Sequence, residues 1–151
     1  MRKVYAQIEY CMNCRLCEVS CIVAHSKSKD LFKAFHRENL RNTARVRVEE
    51  KRPLSAAIQC RHCDQPACVQ SCISGAMTKD AVTGVVHCQE EKCVGCWTCV
   101  VACPYGAVRP GRRDGKSAPL KCDLCQGLSV PACVQTCPNQ ALVYEERGRE
   151  I

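Results

Sequence analysis

Sixteen of the seventeen cysteines fall into four quartets, and the spacing inside each quartet limits what they can bind. Cys11, Cys14, Cys17 and Cys21 form C-x2-C-x2-C-x3-C. Cys93, Cys96, Cys99 and Cys103 repeat it, and Pro104 follows, completing a spacing that wraps iron–sulfur clusters. Cys60, Cys63, Cys68 and Cys72 form C-x2-C-x4-C-x3-C, while Cys122, Cys125, Cys133 and Cys137 form C-x2-C-x7-C-x3-C, again followed by proline. Three thiolates in one tight loop suit one face of a cube. The C-x3-C step carries the fourth past the turn, where in two-cluster proteins it ligates the other cube. The quartets therefore read as four [4Fe-4S] clusters in two pairs. Structural zinc pairs two separate C-x2-C knuckles and needs neither the third cysteine after two residues nor the fourth after three. A radical-SAM site is disfavoured, because no C-x3-C-x2-C triplet stands alone and 151 residues are too few for a barrel.

The quartets also repeat. Residues 66–72 read PACVQSC and residues 131–137 read PACVQTC, six of seven letters returning 65 positions later. The order compact, stretched, compact, stretched is what duplication of a two-cluster module leaves behind. Pro66 and Pro131 stand two residues before the third ligand of their quartets, where a fixed φ helps the loop curl, or where proline simply punctuates it. Cys88 lies outside the quartets and reads as a small buried or half-buried thiol.

Composition agrees with a metal-stapled chain. With seven aromatic residues, little remains for a conventional core once the cysteines are set aside. The N-terminus MRKVYAQIEYC has no apolar signal core and no twin-arginine signal, and neither a membrane-length apolar run nor a hydrophobic tail occurs. The expectation is a reducing cytoplasm, where dense cysteine means metal rather than disulfide. The formal charge of +7 invites a nucleic-acid reading. Each cube with four thiolates carries about 2−, so four cubes bring about −8 and leave the holoprotein near −1. The lysines and arginines then serve as counter-charge.

The elements that position these ligands must be short. Val4 to Ile8 alternates and can pair with Ala141 to Tyr144, closing the two ends of the chain. Val46 and Val48 in ARVRVEE predict a half-exposed strand, and Val82 to Val86 a hairpin turning at Gly84. Gly75-Ala76-Met77, Gly106-Ala107-Val108 and Gln140-Ala141-Leu142 read as turns into strands. CEVSC and VVAC read as single helical turns. After Cys21 an insertion intervenes: residues 27–40 predict an amphipathic helix capped near Ser28 or Asp30, with Leu31, Phe32, Phe35 and Leu40 on its apolar side. Lys27, Lys29, Lys33, Arg37, Arg41, Arg45, Arg47, Lys51 and Arg52 make it basic. The segment 109–119, RPGRRDGKSAP, reads as a basic loop. Either stretch is a partner contact or a solvated charged surface. Trp97 and Tyr105 read as shields of a cube, and His62 as a surface imidazole.

The order of the quartets, with CRHCDQPACVQSC second and KCDLC…PACVQTCPNQAL last, resembles the iron–sulfur subunits of the dimethyl sulfoxide reductase type over nearly the whole chain. The opening CMNCRLCEVSC and the insertion SKDLFKAFHREN look most like the small polyferredoxins that accompany CO dehydrogenases and tungsten- or molybdenum-pterin aldehyde oxidoreductases, often beside an NAD-reducing flavoprotein. The resemblance implies an α+β fold over 1–151 with two ferredoxin-like modules. Segments 1–24 and 118–151 make one, 55–110 makes the other, and 25–54 is inserted. It also implies a crossed ligation: Cys11, Cys14, Cys17 with Cys137; Cys122, Cys125, Cys133 with Cys21; Cys60, Cys63, Cys68 with Cys103; and Cys93, Cys96, Cys99 with Cys72. The first two quartets depart from the pattern in having Ile22 and Ile73 where a proline follows. Larger membrane-bound relatives carry a long C-terminal extension, and the end at Ile151 argues against a membrane-anchored quinone reductase.

No G-x-G-x-x-G, P-loop or triad signature occurs. The expected role is an electron wire between a catalytic oxidoreductase subunit and an acceptor, without substrate chemistry of its own. A freely diffusing polyferredoxin and a subunit of a hydrogenase or formate dehydrogenase complex are the alternatives. A metal-dependent nucleic-acid binder is a third, which zinc on metal analysis or steeply salt-dependent binding would reveal.

Overall fold

In the computed structural model, residues 1–113 and 115–147 are described. Asp114 of the expected basic loop, the side chain of Arg113 and residues 148–151 of the expected terminal segment lie outside the described residues. The fold is a small α+β arrangement in which short strands pair two by two around short helices. Strand β1 (Lys3–Ala6) runs antiparallel to β8 (Leu142–Glu145), with Val4 opposite Tyr144 and Ala6 opposite Leu142. The two ends of the chain thus meet. The strand stops earlier than its alternation indicated, because Ile8–Tyr10 winds into a 3-10 turn that delivers Cys11.

Helix α1 (Leu16–His25) is ten residues long rather than one turn. It puts Cys17 and Cys21, spaced i and i+4, on one buried face. The insertion begins with a shorter helix than expected, α2 (Leu31–His36), capped by Asp30, whose Oδ1 accepts from the Lys33 N–H at 2.8 Å. The residues ahead of it are not helical because the Glu38 carboxylate takes the Lys27 and Ser28 amides at 2.8 and 2.9 Å and closes a loop there. The apolar side is also rotated. Ala34 is the buried position and Phe35 packs on the core, while Leu31 and Phe32 face solvent. A hairpin follows, β2 (Arg47–Lys51) with β3 (Leu54–Ile58), seating Val46 and Val48 in the core.

Helix α3 (Ala67–Gln70) starts directly after Pro66, the residue at its N-cap. Strands β4 (Met77–Lys79) and β5 (Val86–Cys88) form the expected hairpin, Gly84 taking φ 71° in its turn. A second 3-10 turn, Glu90–Lys92, leads to Cys93, and α4 (Thr98–Ala102) carries Cys99. The expected loop at 109–119 is instead a hairpin of β6 (Arg109–Arg113) and β7 (Lys116–Leu120). Glycine and proline ordinarily mark a loop, and here they are accommodated within the strands. Pro110 and Pro119 stand opposite each other, and Gly111 is bare because a Cβ there would collide with the Leu120 side chain. Helix α5 (Ala132–Thr136) follows Pro131 as α3 follows Pro66.

Thiols stand among the aliphatics throughout the interior. One core joins Val4, Ile22, Val46, Val48 and Leu142 to Cys17, Cys21, Cys60, Cys122 and Cys133. A second joins Met77, Val86 and Val108 to Cys68 and Cys99. Helix α1 packs on α5 and α3 on α4. Among the described residues no helix is long and apolar enough to cross a membrane.

Candidate iron–sulfur centres

The opening C-x2-C arc of each quartet bends the same way. Its second spacer residue takes a left-handed backbone: Asn13 (φ 59°), His62 (φ 47°), Gly95 (φ 69°) and Leu124 (φ 60°). Asparagine and glycine accept that conformation readily, whereas leucine pays for it and needs the surroundings to hold it. In both stretched quartets the strained residue's amide turns onto sulfur. His62 N–H donates to Cys60 Sγ and Leu124 N–H to Cys122 Sγ, each at 3.4 Å. Three of the four cysteines that end the quartets are met by amides from further along the chain. Arg45 N–H reaches Cys21 Sγ at 3.2 Å, Met77 N–H reaches Cys72 Sγ at 3.4 Å, and Ala141 N–H reaches Cys137 Sγ at 3.2 Å. Amides aimed at sulfur favour thiolate, the form that binds metal.

The structure gathers the cysteines into neighbourhoods. Cys11, Cys14, Cys17 and Cys137 line one apolar recess, and Cys72, Cys93, Cys96 and Cys99 line another, together with Cys88 and Trp97. Cys133 has Cys122, Cys21, Cys125 and Cys17 as neighbouring thiols. Cys68 has Cys60, Cys103 and Cys63. Cys122 stands near Cys60, and Cys68 shares a core with Cys99. Burial foremost, then neighbouring thiolate charge, pushes Cys68 up to about 11. Burial also pushes Cys17 and Cys122 up to about 12. Sulfurs so buried and crowded repel one another as bare thiolates. A cation among them removes that cost, so the donor set and its amides fit a soft metal–sulfur group.

A polar network braces the Cys21 neighbourhood, and nothing in the sequence singled it out. Asp123, inside the fourth C-x2-C, accepts from the Arg45 guanidinium and lies 3.0 Å from His25 Nε2. His25 Nδ1 in turn sits 2.8 Å from the Cys21 carbonyl. Burial pushes His25 down, but Asp123 and Cys21 outweigh it and hold its pKa at about 9. Burial likewise pushes Asp123 up, and His25 and Arg45 reverse this, leaving its carboxyl well below the usual range. Arg45 is therefore a buried brace rather than part of the insertion's basic surface.

His62 is a further correction. It is fully buried, its Nδ1 accepting from the Val86 N–H at 3.0 Å. Burial, followed by the charges of Lys121 and Lys3, pulls its pKa down to about 3, so the ring is neutral. Leu124, its counterpart in the fourth quartet, is also buried, which shows that the left-handed bend turns this position inward. Trp97 lines a cysteine recess, while Tyr105 lies at the surface with the Arg61 guanidinium 4.3 Å from its ring centre.

Residues 54–147 match the model of the 4Fe-4S dicluster domain. The chain belongs to that 4Fe-4S dicluster family. It is 37% identical over 162 residues to the "Electron transport protein HydN" of Escherichia coli, covering 98% of this chain and 90% of that protein. It is 35% identical over 173 residues to an "Iron-sulfur protein" of Rhodospirillum rubrum, with the same coverage of 98% and 90%. A solved structure, the active site complex BamBC of benzoyl coenzyme A reductase with benzoyl-CoA, shares the fold at a TM-score of 0.50 and 24% identity, over 97% of this chain and 80% of that one. The dicluster family and its named electron-transport relatives make this chain a 4Fe-4S electron-transport protein.

Proposed function

We propose that the chain is the electron-relay subunit of an oxidoreductase complex and holds four [4Fe-4S] clusters. Their ligands would be Cys11, Cys14, Cys17 and Cys137; Cys122, Cys125, Cys133 and Cys21; Cys60, Cys63, Cys68 and Cys103; and Cys93, Cys96, Cys99 and Cys72. Each cube would supply a one-electron couple. The protein's part is to order the ligand sets in a row and to expose the two ends.

The observation that carries this reading is the distribution of exposure among the seventeen cysteines. Cys14 and Cys96 are exposed and the others are buried or half-buried. These two occupy the same place in the compact first and third quartets, in the outermost neighbourhoods of the series. Ile8, Tyr10, Met12 and Leu16 stand exposed around the first, and Val94 stands exposed beside the second. A relay needs two such ports. The inner thiols are kept from solvent, which limits loss of electrons to other acceptors.

The partner at one port would be a catalytic subunit, of tungsten- or molybdenum-pterin or CO dehydrogenase type, and at the other an acceptor such as a flavoprotein. Residues 27–47 are proposed to face a partner, with the basic hairpin at 109–119 as a second contact. Anaerobic purification with iron and sulfide analysis tests the cluster count: about sixteen of each per chain are expected. A value near eight sinks the four-cluster assignment, and stoichiometric zinc sinks the electron-relay reading. Copurification with a larger enzyme separates a subunit from a diffusing carrier.

A further inference from the structure

We propose that Cys88 is a fifth thiol of the outer site formed by Cys93, Cys96, Cys99 and Cys72, placed to replace Cys93 as a ligand. This rests on the four-cluster reading above. Cys88 ends β5, directly opposite Met77, whose N–H donates to Cys72 Sγ at 3.4 Å. It lines the same recess as the four expected ligands, Cys93 among them. The 3-10 turn Glu90–Lys92 folds the chain back between the two, so one short segment presents both sulfurs to one site. A cube takes four protein thiolates, and this recess offers five.

The internal repeat supplies the control. In the other half of the molecule the equivalent strand residue is Ala6, five positions before Cys11 as Cys88 is five before Cys93. Ala6 stands opposite Leu142 as Cys88 stands opposite Met77. The backbone around the two is the same. Gln7 N–H donates to the Ala141 carbonyl and Gln89 N–H to the Ala76 carbonyl, both at 2.8 Å, and a 3-10 turn follows each. Alanine meets every structural demand at this position, so the sulfur of Cys88 exceeds what the strand requires.

In the exchange, Cys88 would give up its thiol proton and take the ligand position that Cys93 relinquishes, and the Cys93 sulfur would take up a proton. No electron is transferred.

The test uses the full chain purified anaerobically, with iron counted and the reduced clusters followed by EPR. Wild type and Cys88→Ala are expected to hold the same iron. Cys93→Ala is expected to keep that full count through Cys88, whereas Cys88→Ala/Cys93→Ala falls by a quarter. Cys96→Ala, which has no spare thiol recruited to it, falls by a quarter as well. A Cys93→Ala count equal to that of the double variant overturns the proposal, and so does a double variant that keeps all its iron. Should Cys93→Ala not fold, Cys93→Ser is compared with Cys88→Ala/Cys93→Ser. Cys88 then gives the first an EPR spectrum like wild type while the second shows an oxygen-ligated signature; identical spectra refute the assignment. A wild-type count near half of the expected iron strikes the four-cluster reading itself, and only differences between variants judge Cys88.

Discussion

Removing the buried ammonium of Lys121 should lower the potentials of the two inner clusters. Lys121 is 6% exposed, and its Nζ donates to the Cys122 carbonyl at 2.9 Å and to the Val86 carbonyl. Its charge lowers the thiol pKa values of both Cys122 and Cys68, so it stands between the second and third proposed ligand sets. Reduction adds one negative charge to a cube, and a nearby cation stabilises it. One hydrogen bond, the Cys122 side chain and the sulfur–cube distance place the charges on the order of 8 Å apart, worth about 2 kcal/mol at an effective dielectric of ~20. For a one-electron couple that is about 90 mV. Lys121→Met should therefore shift at least one inner couple negative by ~50–90 mV in an EPR-monitored redox titration, with Lys121→Arg close to wild type. Lys92→Met, which removes an exposed cation beside Cys93, should shift its couple far less, because solvent screens it. If all four couples of Lys121→Met stay within ~20 mV of wild type with iron intact, the buried lysine is not a tuning charge.

Further expectations follow from the proposed ligation and from the braces around it. Cys137→Ala should destroy the signal of the cube on Cys11, Cys14 and Cys17, and Cys21→Ala that of the cube on Cys122, Cys125 and Cys133; the reverse assignment in cluster-resolved EPR contradicts the crossing. Arg45→Leu strands Asp123 with His25 alone and should cost about 3 kcal/mol in anaerobic urea titration, part of which Arg45→Leu/Asp123→Leu recovers. Chelation of the iron should abolish cooperative unfolding and much of the circular dichroism, because buried thiols make up so much of both cores. Charge reversal at Lys29, Lys33 and Arg37 with Phe32→Ala should weaken assembly with the catalytic partner while iron content stays unchanged. Phe32 is 67% exposed and stacked on His36, so its loss leaves no cavity, and unaltered assembly would make this segment a solvated cover.

The 4Fe-4S character of the chain was legible because ligand spacing is a local property. A C-x2-C arc needs only the residues inside it, and the family match rests on those same arcs. The Asp30 cap and the Gly84 turn were readable for a like reason, each being written in a few adjacent residues, and the two end strands showed through their own alternation. What the linear order could not express was which way a side chain turns once distant segments pack. His62 occupies a spacer position that reads as solvent-facing, yet it is buried on a left-handed backbone, as is Leu124 at the matching position. The segment at 109–119 became a hairpin because Gly111 lets Leu120 pass and Ala118 stands opposite it, a pairing that composition alone reads as loop. Arg45 read as one more charge of the basic insertion, and nothing local marks Lys121 or Asp123. Burial is a property of the whole packed chain, and it makes Arg45 and Asp123 an ion pair across 78 residues and Lys121 a buried donor to two carbonyls. The sulfur chemistry is thus carried by sequence spacing, and the electrostatics that surround it come from tertiary contacts that bring charges out of water.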